Sequence, residues 1–136
     1  MPRAVLDPNV LVSALITPDG ASAQLLVELR SGAFELVTSP LLLAELEEVL
    51  ERDKSRRYVT EEEVDAYVEL LRCQGVMVRD PEPVADPIGE DPDDEYLIAL
   101  ARVARVDALV SGDPHLTKLR SKIPVMGPRE FLASLS

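Results

Sequence analysis

The stretch Ala4-Val5-Leu6-Asp7-Pro8-Asn9-Val10-Leu11-Val12-Ser13-Ala14-Leu15 contains a complete strand-to-helix transition. Three apolar residues suit a short buried strand. Asp7 is a helix-capping side chain, and Pro8 suits the first helical turn, where its missing N–H has no intrahelical partner. The same punctuation recurs down the chain. Phe34-Glu35-Leu36-Val37 leads into Ser39-Pro40, Ala108-Leu109-Val110 leads towards Asp113-Pro114, and Asp91-Pro92 marks a fourth helix start. Val76-Met77-Val78 and Ile123-Pro124-Val125-Met126 are two further short apolar runs. Helices are expected near 9–16, 21–31, 40–52, 61–74, 93–104 and 128–135, with a short one after 113. Strands separated by helix-length intervals are the pattern of βα units and a parallel sheet, so the fold class is α/β.

Composition bounds the rest. With 136 residues, 46% hydrophobic and 29% charged, the chain is globular and reads as one domain over 1–136. Its apolar runs are far shorter than the ~20 residues that cross a bilayer, and the amino terminus has no secretory pattern. A soluble cytoplasmic protein with no membrane association is expected. The single Cys73 cannot form an intramolecular disulfide, which fits a reducing compartment, and it reads as a core thiol. The balance of 14 basic against 25 acidic residues, a formal charge of −11, repels nucleic acid at long range and argues against a nonspecific binder. Much of that charge is local, in the base-free segment from Asp80 to Glu95. Basic residues gather at Arg52-Asp53-Lys54-Ser55-Arg56-Arg57 and at Lys118, Arg120 and Lys122, which read as solvated helix ends or loops.

Four acids fall where the chain leaves the strand layer: Asp7, Glu45, Asp94 and Asp113. In an open α/β sheet, ligands bind outside the carboxyl ends of the strands, and convergent carboxylates there suggest a divalent metal. Asp7, Asp91 and Asp113 are each also explained as helix caps. Glu45 lies at the edge of the apolar stripe of its helix, beside Leu41, Leu42 and Val49, where an ionised carboxylate needs a metal or an ion-pair partner. Asp94 shares a face with Leu97, Ile98 and Ala101; it fits an inward ligand or a first-turn acid closing a capping box with Asp91. Caps do not explain four acids from separate segments at one sheet edge. Around them, Asn9 can hold a carboxylate or a phosphate, Ser13 aligns with it one turn on, and the Ser111 hydroxyl can orient Asp113. For all three, a local backbone hydrogen bond is the plain alternative.

Asp7-Pro8-Asn9 with the run to Leu15, Ser39-Pro40 followed by Glu45, Asp94-Glu95-Tyr96-Leu97-Ile98-Ala99-Leu100-Ala101, Ser111-Gly112-Asp113 and Pro128-Arg129-Glu130-Phe131-Leu132 together resemble a PIN-domain ribonuclease, most of all the VapC-type toxin components of bacterial toxin-antitoxin pairs. The resemblance covers nearly the whole chain. It implies a three-layer α/β/α sandwich with a central, mostly parallel sheet of four or five strands, and Mg²⁺- or Mn²⁺-dependent cleavage of RNA. Asp7, Glu45, Asp94 and Asp113 would be the metal-binding and catalytic acids, with Asn9 and Ser111 in support. It also implies an antitoxin protein as partner and a homodimer. Pro8 departs from the pattern, standing where the family usually has a hydroxyl residue. His115 reads as an exposed helix residue rather than a general base.

Two other classes compete. A receiver domain or a haloacid-dehalogenase-like phosphatase needs a strand-end Lys or a second acid two residues after the first, and Asn9 occupies that second place. A catalytically weak PIN-fold binding module, working through protein or RNA partners, is favoured by Pro8 and by the acidic balance.

Overall fold

The computed structural model describes residues 1–52, 59–82 and 94–136. Its elements are β1 (Arg3–Leu6), α1 (Pro8–Ile16), α2 (Ala21–Arg30), β2 (Glu35–Thr38), α3 (Pro40–Glu51), α4 (Glu61–Gln74), β3 (Val76–Met77), α5 (Glu95–Val103), β4 (Ala108–Val110), α6 (Pro114–Thr117), β5 (Val125–Met126) and α7 (Pro128–Ser134). The five strands make one all-parallel sheet in the order β3-β2-β1-β4-β5. Helices cover the sheet as an α/β/α sandwich, α5 packing on β1 and β4, and α7 on β4 and α2.

β1 is the central strand, with Ala4 beside Leu36 of β2 on one side and Ala108 of β4 on the other. From it the chain winds outward in both directions. The strand order therefore reverses between β1 and β4, and the crevice beyond their carboxyl ends is where such sheets bind ligands. Ala4–Leu6 of β1 and all of β4 are buried, which is why they read as unbroken apolar runs rather than alternating ones.

Capping residues set the helix starts. Asp7, Ser39 and Asp113 each precede a proline, and each accepts a backbone N–H two or three residues on: Asn9 at 2.9 Å, Leu42 at 3.2 Å and His115 at 2.9 Å. Thr60 and Glu63 close a reciprocal capping box on α4. Asp80 uses part of the acidic segment's charge on the Leu41 N–H in the first turn of α3, at 3.2 Å. Tyr67 ties α4 to α1 by donating its buried hydroxyl to the Leu11 carbonyl at 2.7 Å. Phe34 and Phe131 meet edge to face, centroids 5.2 Å apart, and join the start of β2 to α7.

Several expectations change. Ile123-Pro124 precedes β5 rather than joining it, with the Pro124 carbonyl accepting the Leu109 N–H at 2.8 Å. Cys73 is exposed, not in the core. Val64, Tyr67, Val68 and Leu71 form the buried stripe of α4, and two residues past Leu71 is ~200° round the helix, towards solvent. The Asp91-Pro92 helix start lies outside the described residues, as does the Arg52–Arg57 basic cluster from residue 53 onward.

Candidate active site

Asp7 leaves β1 with its backbone N–H donated to the Val110 carbonyl of β4 at 2.9 Å, which brings it beside Ser111. One carboxylate oxygen accepts the Asn9 N–H, and the other accepts the Ser111 hydroxyl at 2.7 Å. Ser111 in turn accepts the Asp113 N–H at 3.0 Å, and Asp113 accepts the His115 N–H. A continuous chain of donors thus spans the two strand ends. The Ser111 hydroxyl orients Asp7, not Asp113, whose backbone alone it touches, because the parallel pairing sets Leu6 level with Val110. The absence of an N–H at Pro8 takes nothing from this arrangement, since the bond to Asp7 comes from the second helical position.

Asp7 is only 4% exposed. Burial raises its pKa; the bonds from Asn9 and Ser111 oppose that rise, and the nearby charge of Asp113 adds to it. Keeping a carboxylate here is unfavourable for the bare protein and favourable for any cation that arrives.

Glu45 and Asp94 approach from the other wall, both half-buried, one in α3 and one at the start of α5. The Tyr96 hydroxyl donates to a Glu45 carboxylate oxygen. The alternative partner for Glu45, an arginine, is not there among the described residues. Asp94 makes no side-chain capping bond to α5, and the capping box expected with Asp91 lies outside the described residues. Tyr96 is where three of the acids meet: burial raises its pKa first, then the bond and charge of Glu45, then the charges of Asp7 and Asp94.

Asp113 therefore acts on Asp7, and Asp7, Glu45 and Asp94 all lie near enough to Tyr96 to act on its hydroxyl. Their all-oxygen donor chemistry fits a hard cation such as Mg²⁺ or Mn²⁺. Among the described residues no three of them stand close enough to share one coordination point, and Glu45 is turned to the phenol. Asp91 lies outside the described residues.

A cavity of about 410 Å³ opens beside Asp7 and Asp113, with Asn9, Ser13 and Ser22 in its walls. The Asn9 side chain is exposed and makes no hydrogen bond among the described residues, so it is left to face a ligand. Lys118, Arg120, Lys122 and His115 are exposed, and Arg120 pairs with Glu130 at 3.0 Å.

The sequence matches the PIN domain family over residues 3–115, a span that contains all four acids. The chain is a PIN-domain protein. PIN domains are generally nucleases that use divalent metal ions. The fold is also that of a chain in the crystal structure of VapBC2 from Rickettsia felis bound to a DNA fragment from their promoter. The two agree with a TM-score of 0.62 at 14% identity, over 92% of this PIN domain and 98% of that chain. No curated protein matches the sequence.

Tyr96 was not among the candidates that the sequence of this PIN domain suggested. Its signal was faint: one of three tyrosines, beside the acidic segment, at a position where a half-buried phenol needs a partner. Ser22 gave none, since a lone serine in an amphipathic helix is unremarked.

Proposed function

We propose that this PIN domain is a Mg²⁺- or Mn²⁺-dependent endoribonuclease and the toxin component of a toxin-antitoxin pair. The convergence of Asp7, Glu45 and Asp94 on Tyr96, with Asp113 coupled to Asp7, carries the reading. Capping accounts for Asp7 and Asp113 one at a time but not for the gathering of four like charges, which repel one another.

In this reading Asp7, Glu45, Asp94 and Asp113 are the oxygen donors that would hold the ion, directly or through water. When bound, the ion lowers the pKa of a water and offsets charge building on the scissile phosphate. Asp7 is preorganised for this by its two donors, which fix both carboxylate oxygens. Tyr96 holds Glu45 at the rim, and Ser111 keeps Asp7 and Asp113 in register. Asn9 faces the cavity where a phosphate oxygen would lie.

The fold shared with a VapBC2 chain supports an antitoxin as partner, and basic residues of such a protein would complement the acidic cleft. A homodimer and a cytoplasmic location belong to the same proposal. No single helix among the described residues is long and apolar enough to cross a membrane.

The test is cleavage of RNA with Mn²⁺ or Mg²⁺ by the native chain and by Asp94→Asn. The variant is expected to lose at least about 100-fold in rate while keeping its Tm in EDTA. Equal cleavage by the two proteins would remove Asp94 from the site; RNA binding without cleavage by the native chain would favour the binding-module alternative.

A further inference from the structure

The acid cluster does not end at Asp113. The cavity beside it shares Ser13, Ser22 and Pro128 with a second cavity of about 430 Å³, whose far wall carries Arg120 and Arg129. A third, of about 630 Å³, begins on the other side of Arg129. One groove thus runs from the carboxylates, past two hydroxyls, to a guanidinium.

Three features of the groove define its ligand. Ser22 is 7% exposed and lines both cavities, yet its hydroxyl makes no hydrogen bond among the described residues. Its oxygen opens onto the groove, where it is free to donate to a ligand or to water. Arg129 is exposed and forms no ion pair among the described residues, whereas its neighbour Arg120 is neutralised by Glu130. Ser13 adds a second hydroxyl between them with no hydrogen bond of its own. In a chain of net charge −11, one unpaired cation at the end of a hydroxyl-lined groove is a local reversal of sign.

We propose that Ser13, Ser22 and Arg129 form a phosphate subsite that holds the backbone of a polynucleotide strand one or more phosphates away from the acid cluster. This rests on the nuclease reading for the identity of the strand. Hydroxyls and a guanidinium donate to phosphate oxygens, and contacts of that kind position a strand without reading its sequence. The subsite answers a difficulty that the overall charge creates, since the acids repel the strand that they must cut. A basic antitoxin segment would suit the Asp7 and Asp113 end and be repelled at Arg129. Ser13 and Ser22 lie within the family match over residues 3–115, and Arg129 lies beyond it.

The test measures binding of a short fluorescein-labelled single-stranded RNA to the full chain in EDTA over a range of salt. Arg129→Glu is compared with Arg30→Glu, which makes the same charge change at the opposite end of α2 from Ser22. Arg129→Glu is expected to weaken binding about tenfold and to reduce the salt slope by about 0.7, the loss of one phosphate contact on a single strand. Arg129→Lys should retain most of the affinity. Equal affinity for the two charge reversals, or no RNA binding by the native chain, overturns the subsite and leaves the groove to a polypeptide. Cleavage with Mn²⁺ separates the two claims. An Arg129-dependent complex that is never cut keeps the subsite and sinks the nuclease; cleavage abolished by Asp94→Asn but with KM unchanged by Arg129→Glu does the reverse.

Discussion

The two walls of the acidic cleft are built differently. On the wall formed by β1 and β4, Asp7 and Asp113 are held by backbone: adjacent parallel strands set their level, and each accepts an N–H from the helix that it caps. Ser111 locks the two together with two bonds. On the wall formed by α3 and α5, Glu45 and Asp94 sit on helices from distant parts of the chain, and one phenol contact joins Glu45 to α5. The first wall is part of the fold's framework, while the second depends on side chains. The stable wall should therefore carry both stability and chemistry, and the other chemistry alone.

Ser111→Ala is the strongest way to break that contrast. It removes the donor to Asp7 and strands the Asp113 N–H, a loss of about 2 kcal/mol. Melting should fall by roughly 6 °C for a chain of this size, and RNA cleavage by about 100-fold, because the group orients a ligand. Unchanged melting would show that the β1–β4 wall stands without this serine.

Tyr96→Phe probes the opposite wall with a smaller effect. Cleavage should drop about tenfold in kcat as Glu45 loses its positioning bond, while melting changes little. Urea denaturation of both variants gives the comparison directly. If the Phe variant loses as much stability as the Ala variant, the two walls are equivalent and the distinction fails.

Asp7→Asn sharpens the comparison through pH and has the smallest effect. Burial raises the pKa of Asp7 in the folded state, so the proton is held more tightly there than in the unfolded chain. The stability contributed by this group is complete below the unfolded value of about 3.9 and is lost as pH rises through the folded one. Without metal, the neutral asparagine should gain on the native chain as pH rises from about 4 to 7, ending higher in Tm by a few degrees, on the order of 1 kcal/mol. Mn²⁺ should then reverse the order by stabilising the native chain only. A constant difference across that pH range would mean that Asp7 is not strained by burial.

Local signals were legible where local physics decides. An Asp or Ser before Pro starts a helix because neighbouring atoms along the chain make the bonds, and three such pairs do so at Pro8, Pro40 and Pro114. Continuous apolar triplets became parallel strands, buried at Ala4–Leu6 and Ala108–Val110 and exposed at the sheet edge in β3. The strand at Ile123-Pro124 was read too early because Pro124 can offer a carbonyl but no N–H to the sheet. Cysteine as a residue type favours burial, but the position of Cys73 on the α4 wheel, off the Val64-Tyr67-Val68-Leu71 stripe, dictates exposure.

Sequence alone determined the α/β alternation and the helix caps, since each follows from residues within a few positions of one another. Only the tertiary structure decided that β4 pairs with β1, and so that Ser111 serves Asp7 across 104 positions of chain. It also decided that Tyr96 meets Glu45 across 51 positions, and that Ser13, Ser22 and Arg129 share one groove. Contacts of that separation depend on strand order and helix docking, which arise from burying one common core and leave no periodic trace in the chain.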